Sequence, residues 1–355
     1  MIIKDFKYFP FSLQLKIPFQ SSAQIIKQRN GFIISLRDEL GNQSFGEASP
    51  LINYSSELMD QVAITLRNLR SQLIDISIEE SPDDVSQSLN NYKLVPSVRF
   101  ALEQAILSLL IIRNKNFVNL FVGNLKSEIN VNAVFGFEES INILSEIEGK
   151  INSGYNTIKL KVGRDNFEDD LKLIDEVRRR FGKNISIRLD ANGKWEFEDA
   201  KNYLEQLSSF NIQYIEEPCT NLNDLIKLAE VSPIPIAVDE SVHIIEDALE
   251  IINNSNIEFI VLKPMVLGGL FSTLRVINEA ELKNKKVIIS SSFESAIGKS
   301  GLVLLASITN HNFAHGLDTS EFFEKDICAD SFKVEKGKIT FTPENYPPQF
   351  NLKLT

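Results

Sequence analysis

Over the first 125 residues, apolar and polar positions alternate. In "FKYFPFSLQLKI" and "GFIISLRDELGNQSFGEAS" the period is two, with "ELGN" as a turn, and this predicts antiparallel strands. The period then lengthens to that of helices in "SSELMDQVAITLRNLRSQLID" and "SVRFALEQAILSLLIIRN". From about residue 128 a short apolar run is followed by a polar loop and an amphipathic stretch, again and again. The runs are "INVNAVFG", "TIKLKVG", "SIRLDAN", "QYIEEP", "IAVDES", "FIVLKP", "VIISSSF" and "AHGLDT". Alternating β and α units imply a parallel sheet, and eight of them suggest a closed barrel. The expected fold is α/β: a TIM-type (β/α)7β barrel over residues 126–325 with an α+β capping domain over 1–125. The segment 326–355 contains "SFKVEKGKITFTP", which reads as a hairpin returning to complete the first domain's sheet.

One run poses a question. In "NTIKLKVGRD" Ile158, Leu160 and Val162 share one face, which leaves Lys159 and Lys161 side by side on the other. Two ammonium groups that close need an anion between them or the loss of a proton. Barrel enzymes place their chemistry at the C-terminal ends of the strands. Read that way, successive strands end with Lys161, Asp190, Glu216, Asp239 and Lys263, each about one βα unit from the last. Three carboxylates converging without Cys or His suit a hard cation, Mg²⁺, with Mn²⁺ as a substitute. A lysine on either side suits removal of a proton α to a carboxylate bound to that cation. The catalytic candidates are therefore Lys161, Lys263 and Lys159, and the metal candidates Asp190, Glu216 and Asp239.

Substrate contacts are expected from Arg188 and Asn192, which flank Asp190. Ser290, Ser291 and Ser292, with Gly316 and Leu317, end the last two strands, where small residues let backbone amides approach a ligand. Phe19, Leu51 and Tyr54 sit in "KIPFQSS" and "GEASPLINYSSE" of the first domain and could close over a substrate. Glu240 and Asp318, taken singly, read as helix N-caps or solvated loop residues. The glycines of "VLGGL" lack the strand–GxGxxG context of a nucleotide site. His311 and His315 read as structural.

Composition narrows the function classes. The 355 residues are 43% hydrophobic and carry a net charge of −11, which argues against broad contact with nucleic acid phosphates. No apolar run approaches a membrane span, and the N-terminus lacks the pattern of a signal peptide. Two cysteines, Cys219 and Cys328, make no disulfide framework and no zinc spacing. A cytoplasmic protein acting on a small-molecule carboxylate, without nucleic acid or membrane partners, is expected; the oligomeric state is not encoded legibly.

"IKLKVG", "RLDANGKW", "IEEP", "AVDES" and "LKPMVLGGL" resemble the enolase superfamily in its muconate-lactonising branch. The resemblance implies Mg²⁺-assisted formation of an enediolate. It makes Lys161 the base, Glu216 rather than Glu217 the ligand, and Lys263 the residue across the substrate. "IEEPCTNLND", "SSSFESAIG" and "HGLDTSEFF" further resemble the o-succinylbenzoate synthases of menaquinone biosynthesis. That family dehydrates SHCHC (2-succinyl-6-hydroxy-2,4-cyclohexadiene-1-carboxylate), with the strand-6 lysine in cation–π contact with the ring. Dipeptide epimerases of the branch carry Asp-x-Asp at the end of the eighth strand, where this chain has "GLDTS". N-succinylamino acid racemases use the same lysines and acids and remain an alternative, as does a non-catalytic barrel that binds a carboxylate.

Overall fold

The computed structural model describes all residues except 21–24, 52–53, 79–80, 116, 118–124, 138–139 and 353–355. Parts of the two candidate closing loops, 16–22 and 46–57, thus lie outside the described residues. The alternating N-terminal segments form a three-stranded antiparallel sheet, β1 (Ile3–Gln20), β2 (Ile25–Asp38) and β3 (Gln43–Ala48). The turn between β2 and β3 is made by Gly41, at φ 84°, and by Asp38, whose Oδ1 accepts from the amides of Leu40 and Asn42 at 3.0 and 2.8 Å. Helix Pro96–Arg113 lies on this sheet. It is apolar on most sides because it is wedged between the sheet and the barrel, and Val98 to Ile111 is buried almost without a break, Arg99 being the exception.

The second part is the barrel. β5 (Ala133–Phe135), β6 (Thr157–Lys161), β7 (Ser186–Asp190), β8 (Ile212–Glu216), β9 (Ile236–Val238), β10 (Phe259–Leu262) and β11 (Lys286–Ile289) pair in parallel and in chain order. Residues 315–316 close the ring. His315 bridges to Val131, and Gly316 bridges to Ser290, both in parallel sense. Among the described residues at least one helix follows each of the seven strands, so the expected (β/α)7β barrel is what the chain forms. Helix Phe167–Phe181 shows why they seat as they do. Leu173, Ile174 and Val177 face inward, acids open its first turn, and Arg178, Arg179 and Arg180 end its last, matching the macrodipole.

The C-terminal segment departs from expectation. β12 (Lys338–Thr340) does not extend the first sheet; it pairs with β4 (Glu128–Asn130), just before the barrel. The apolar side chains decide this. Ile339 and Phe341 are fully buried, and Ile339 stands opposite Ile129. The tail beyond β12 returns to the first domain, where the rings of Phe350 and Phe45 lie 6.4 Å apart.

Candidate active site

Strand register assembles the site. β6 and β7 bring Lys161 opposite Asp190, β7 and β8 bring Asp190 opposite Glu216, and Glu216 stands opposite Ala237, two residues before Asp239. Lys263 follows β10. In a ring of eight, β6 and β10 are four strands apart, so Lys161 and Lys263 rise from opposite walls. Between them lies a cleft of about 900 Å³, counting its opening to solvent.

The charges pair closely. Lys159 Nζ donates to Glu216 Oε1 at 2.7 Å and lies 2.8 Å from Asp190 Oδ2. Lys161 Nζ donates to the same Asp190 oxygen at 2.7 Å and to Asn192 Oδ1 at 2.6 Å. The adjacent lysines are thus tolerated because one buried carboxylate serves both. Across the cleft, Lys263 is ion-paired with Asp239 and donates to the Tyr54 hydroxyl at 2.8 Å. Tyr54 in turn donates to Asp239 Oδ1 at 2.5 Å.

Burial pushes the Asp190 carboxyl up, but Lys159 and Lys161 outweigh it and hold the group well below the usual range. Burial likewise opposes ionisation of Asp239, and Lys263 and Lys159 again prevail. Glu216 goes the other way. Burial, then repulsion from Asp190 and Asp239, raise it well above an ordinary glutamate despite Lys159. Burial also disfavours the Lys159 ammonium, yet Asp190 and Glu216 overcome that and keep it charged.

These residues fit a divalent cation by chemistry. Glu216 Oε2 is buried without a hydrogen-bond partner, and Glu216 is disfavoured as an anion because two further carboxylates face it. A cation bound by all three would remove both penalties. Among the described residues no three acids already stand in a metal cage. The ammonium groups of Lys159 and Lys263 occupy the carboxylate oxygens instead, and Asp239 would exchange Lys263 for the metal.

Of the sixteen expected residues, thirteen line the cleft. Besides the lysines and acids these are Asn192, Ser290, Ser291, Gly316, Phe19, Leu51 and Tyr54. Arg188, Ser292 and Leu317 do not. Arg188 is fully buried one layer below Asp190, where it donates to Gln213, Asn132 and the Ala314 carbonyl and stacks on Tyr214. Leu317 belongs to the apolar core, and the Ser292 amide is tied to Glu294. Glu240 and Asp318 are not solvated loop residues: both line the cleft, and Glu240 accepts from Asn192 at 2.7 Å. Sequence reasoning missed Asn132, Tyr214 and Phe293, which also line it. Tyr214 lies two residues before Glu216 on β8 and so shares its inward face, a signal that was available; Asn132 precedes β5 and gave none.

Fold and site together define a class: a capped (β/α)7β barrel with acids on three consecutive strands between lysines on opposite walls. The chain belongs to the enolase superfamily. Residues 142–345 match the family model described as Enolase C-terminal domain-like, and residues 3–109 match the MenC N-terminal domain. Protein PHYLLO of Arabidopsis thaliana is 28% identical over 90% of this chain, but the chain spans only 21% of that longer protein. The o-succinylbenzoate synthase of Bacillus subtilis is 25% identical, with 96% of this chain and 92% of that protein aligned. The D-Ala-D/L-Ala epimerase of Cytophaga hutchinsonii is 28% identical, covering 97% and 94%. The fold matches the dipeptide epimerase of Enterococcus faecalis, solved with Mg and a dipeptide, at a TM-score of 0.88 and 22% identity over 96% and 98% of the two chains.

Proposed function

We propose that this enolase-superfamily protein is an o-succinylbenzoate synthase, a Mg²⁺-dependent hydro-lyase that dehydrates SHCHC in menaquinone biosynthesis in the cytoplasm. Lys161 takes the proton α to the ring carboxylate with its Nζ lone pair, and the C–H electron pair enters that carboxylate to give an enediolate. The pair then returns to form the C=C bond that completes the aromatic ring, while the C–O bond on the neighbouring carbon breaks. The departing hydroxide leaves as water with the proton that Lys161 carries as ammonium. Lys263 holds a fixed positive charge on the opposite side of the ring. Asp190, Glu216 and Asp239 are the residues that would hold Mg²⁺. When bound, the cation neutralises negative charge developing on the substrate carboxylate. Apolar side chains of Phe19, Leu51 and Phe293 line the same cleft and would face the ring.

The observation that carries this reading over an amine-bearing substrate is at Asp318. It is the carboxylate at the end of the eighth strand, and its Oδ2 already accepts from the Tyr155 hydroxyl at 2.6 Å and from Lys150 at 3.1 Å. Lys150 already balances its charge, and although its Oδ1 is buried without a partner, no second carboxylate stands beside it in "GLDTS" as it does in the Asp-x-Asp of the epimerases. The alternative is N-succinylamino acid racemisation or a related epimerisation, favoured by the opposed lysines and by the epimerases among the relatives. A non-catalytic carboxylate-binding barrel has no need of that pair.

The deciding experiment follows the ultraviolet absorbance of the cyclohexadiene substrate with purified protein and Mg²⁺, with an EDTA control. Metal-dependent loss of the diene signal with appearance of o-succinylbenzoate is expected. No loss would sink the dehydratase; α-deuterium incorporation into N-succinylamino acids in D₂O would then make the protein a racemase. Neither reaction would leave the binder.

A further inference from the structure

The two lysines are supported differently. Among the described residues, the polar partners of the Lys161 side chain, Asp190 and Asn192, belong to the barrel. Lys263 opens a short turn, Pro264–Leu267, followed by Gly268 and Gly269 at φ 87° and 132° and then helix Leu270–Leu282. This helix has no N-cap side chain of its own, because the residue in that place is Gly269. The capping domain supplies what is missing. Glu103, fully buried on helix Pro96–Arg113, accepts from the Phe271 amide at 3.0 Å through Oε2. Its other oxygen, Oε1, is fixed by Arg99 Nε at 2.8 Å. A Cβ on Gly269 would lie 2.3 Å from Glu103 Oε2, so glycine is required for the carboxylate to arrive at all. That accounts for the second glycine of "VLGGL", Gly269.

The near end of the same turn is held too. The amide and hydroxyl of Ser49, in the capping domain, each lie 3.3 Å from Met265 Sδ. Ser49 is anchored by Glu47 at 2.6 Å, and Glu47 accepts from the amides of Ser295 and Gly298 at the start of the last barrel helix. The ion pair with Asp239 fixes the Lys263 ammonium, but the backbone from which that side chain starts is clamped from the capping domain at Met265 and at Phe271.

We propose that Glu103 is a positioning residue for Lys263. By capping helix Leu270–Leu282 from the other domain it sets the Pro264–Gly269 turn, so the placement of Lys263 depends on how the capping domain is seated while that of Lys161 does not. This rests on the reading of Lys263 as the residue facing substrate from the second wall.

The test compares lysine reactivity in the intact protein. Wild type and Glu103→Ala are treated with a small acetylating reagent, and the labelling rates of Lys263 and Lys161 are read by mass spectrometry. Glu103→Ala is expected to raise the Lys263 rate about tenfold, as for loss of one hydrogen bond to a charged group, with Lys161 unchanged. In turnover, kcat falls about tenfold while KM stays within about twofold, the pattern of a group needed only past the ground state. Equal rises at both lysines, or no rise at Lys263, would overturn the proposal. If Glu103→Ala does not fold, Ser49→Ala decides by the same comparison. Should the wild type show no turnover, the proposed activity fails, and the labelling ratio still judges Glu103.

Discussion

Asp190 is where the two lysines of β6 are told apart. One of its oxygens receives both ammonium groups, but Lys159 has Glu216 as a second carboxylate, whereas Lys161 has only the neutral Asn192 amide. That difference supports the proposed roles, Lys159 as counter-charge and Lys161 as base. Lys161→Ala is expected to lower turnover by about 10³-fold, the contribution of a placed general base, with the thermal unfolding midpoint and Mg²⁺ binding preserved. Retained turnover would remove Lys161 as the base. Asp239→Asn is expected to weaken Mg²⁺ affinity by about 10- to 100-fold in a calorimetric titration, and unchanged affinity would mean a different third ligand. These residues were legible because a βα repeat returns to the same height every two dozen residues or so. Depth was not legible. Arg188 shares the inward face with Asp190, since residues two apart on a strand do, yet it sits a layer deeper and out of reach. Leu317 fell to the same period: Gly316 and Asp318 face the cleft, and the residue between them turns to the helices.

At the scale of elements, the packing of β3 on helix Pro96–Arg113 decides how the capping domain holds its shape. The two backbones approach so closely at Gly46 that a Cβ there would lie 1.9 Å from the Ala101 carbonyl oxygen, a backbone atom that cannot swing away. Gly46→Ala is expected to cost about 3 kcal/mol, at the upper end of overpacking, measured as a lower denaturant midpoint with an unchanged slope. A cost below about 1 kcal/mol would show that sheet and helix part easily. Alternation and length gave both elements from sequence, but not the closeness of their contact. Partner choice was equally hidden for β12. The "SFKVEKGKITFTP" pattern says that Ile339 and Phe341 need a buried face, and two were on offer. Ile129, at the entrance to the barrel, takes it, and the first sheet stays three-stranded among the described residues.

At the scale of the whole molecule, joining two domains through buried acids makes stability depend on pH. Burial raises Glu103 from 4.5 to about 7, against the opposing pull of Arg99 and of the Phe271 amide. Below pH about 4.5 the group is protonated in both the folded and the unfolded chain and contributes no difference. Between about 4.5 and 7 the folded protein still holds the proton while the unfolded chain has released it. Stability from this group therefore falls as pH rises through that window and is level above it. Glu103→Gln is uncharged throughout and escapes the loss, whatever its fixed cost. The stability of Glu103→Gln relative to wild type is thus expected to improve from pH 5 to pH 7, by at most about 3 kcal/mol. Unfolding midpoints of both proteins, taken in the same buffers at half-unit steps, read it directly, because every other titrating group cancels in the difference. A flat difference would mean that Glu103 is ionised in the folded protein well below pH 7, with Arg99 rather than burial in control. A difference that shifts toward wild type as pH rises would mean that ionised Glu103 strengthens the joint between the domains.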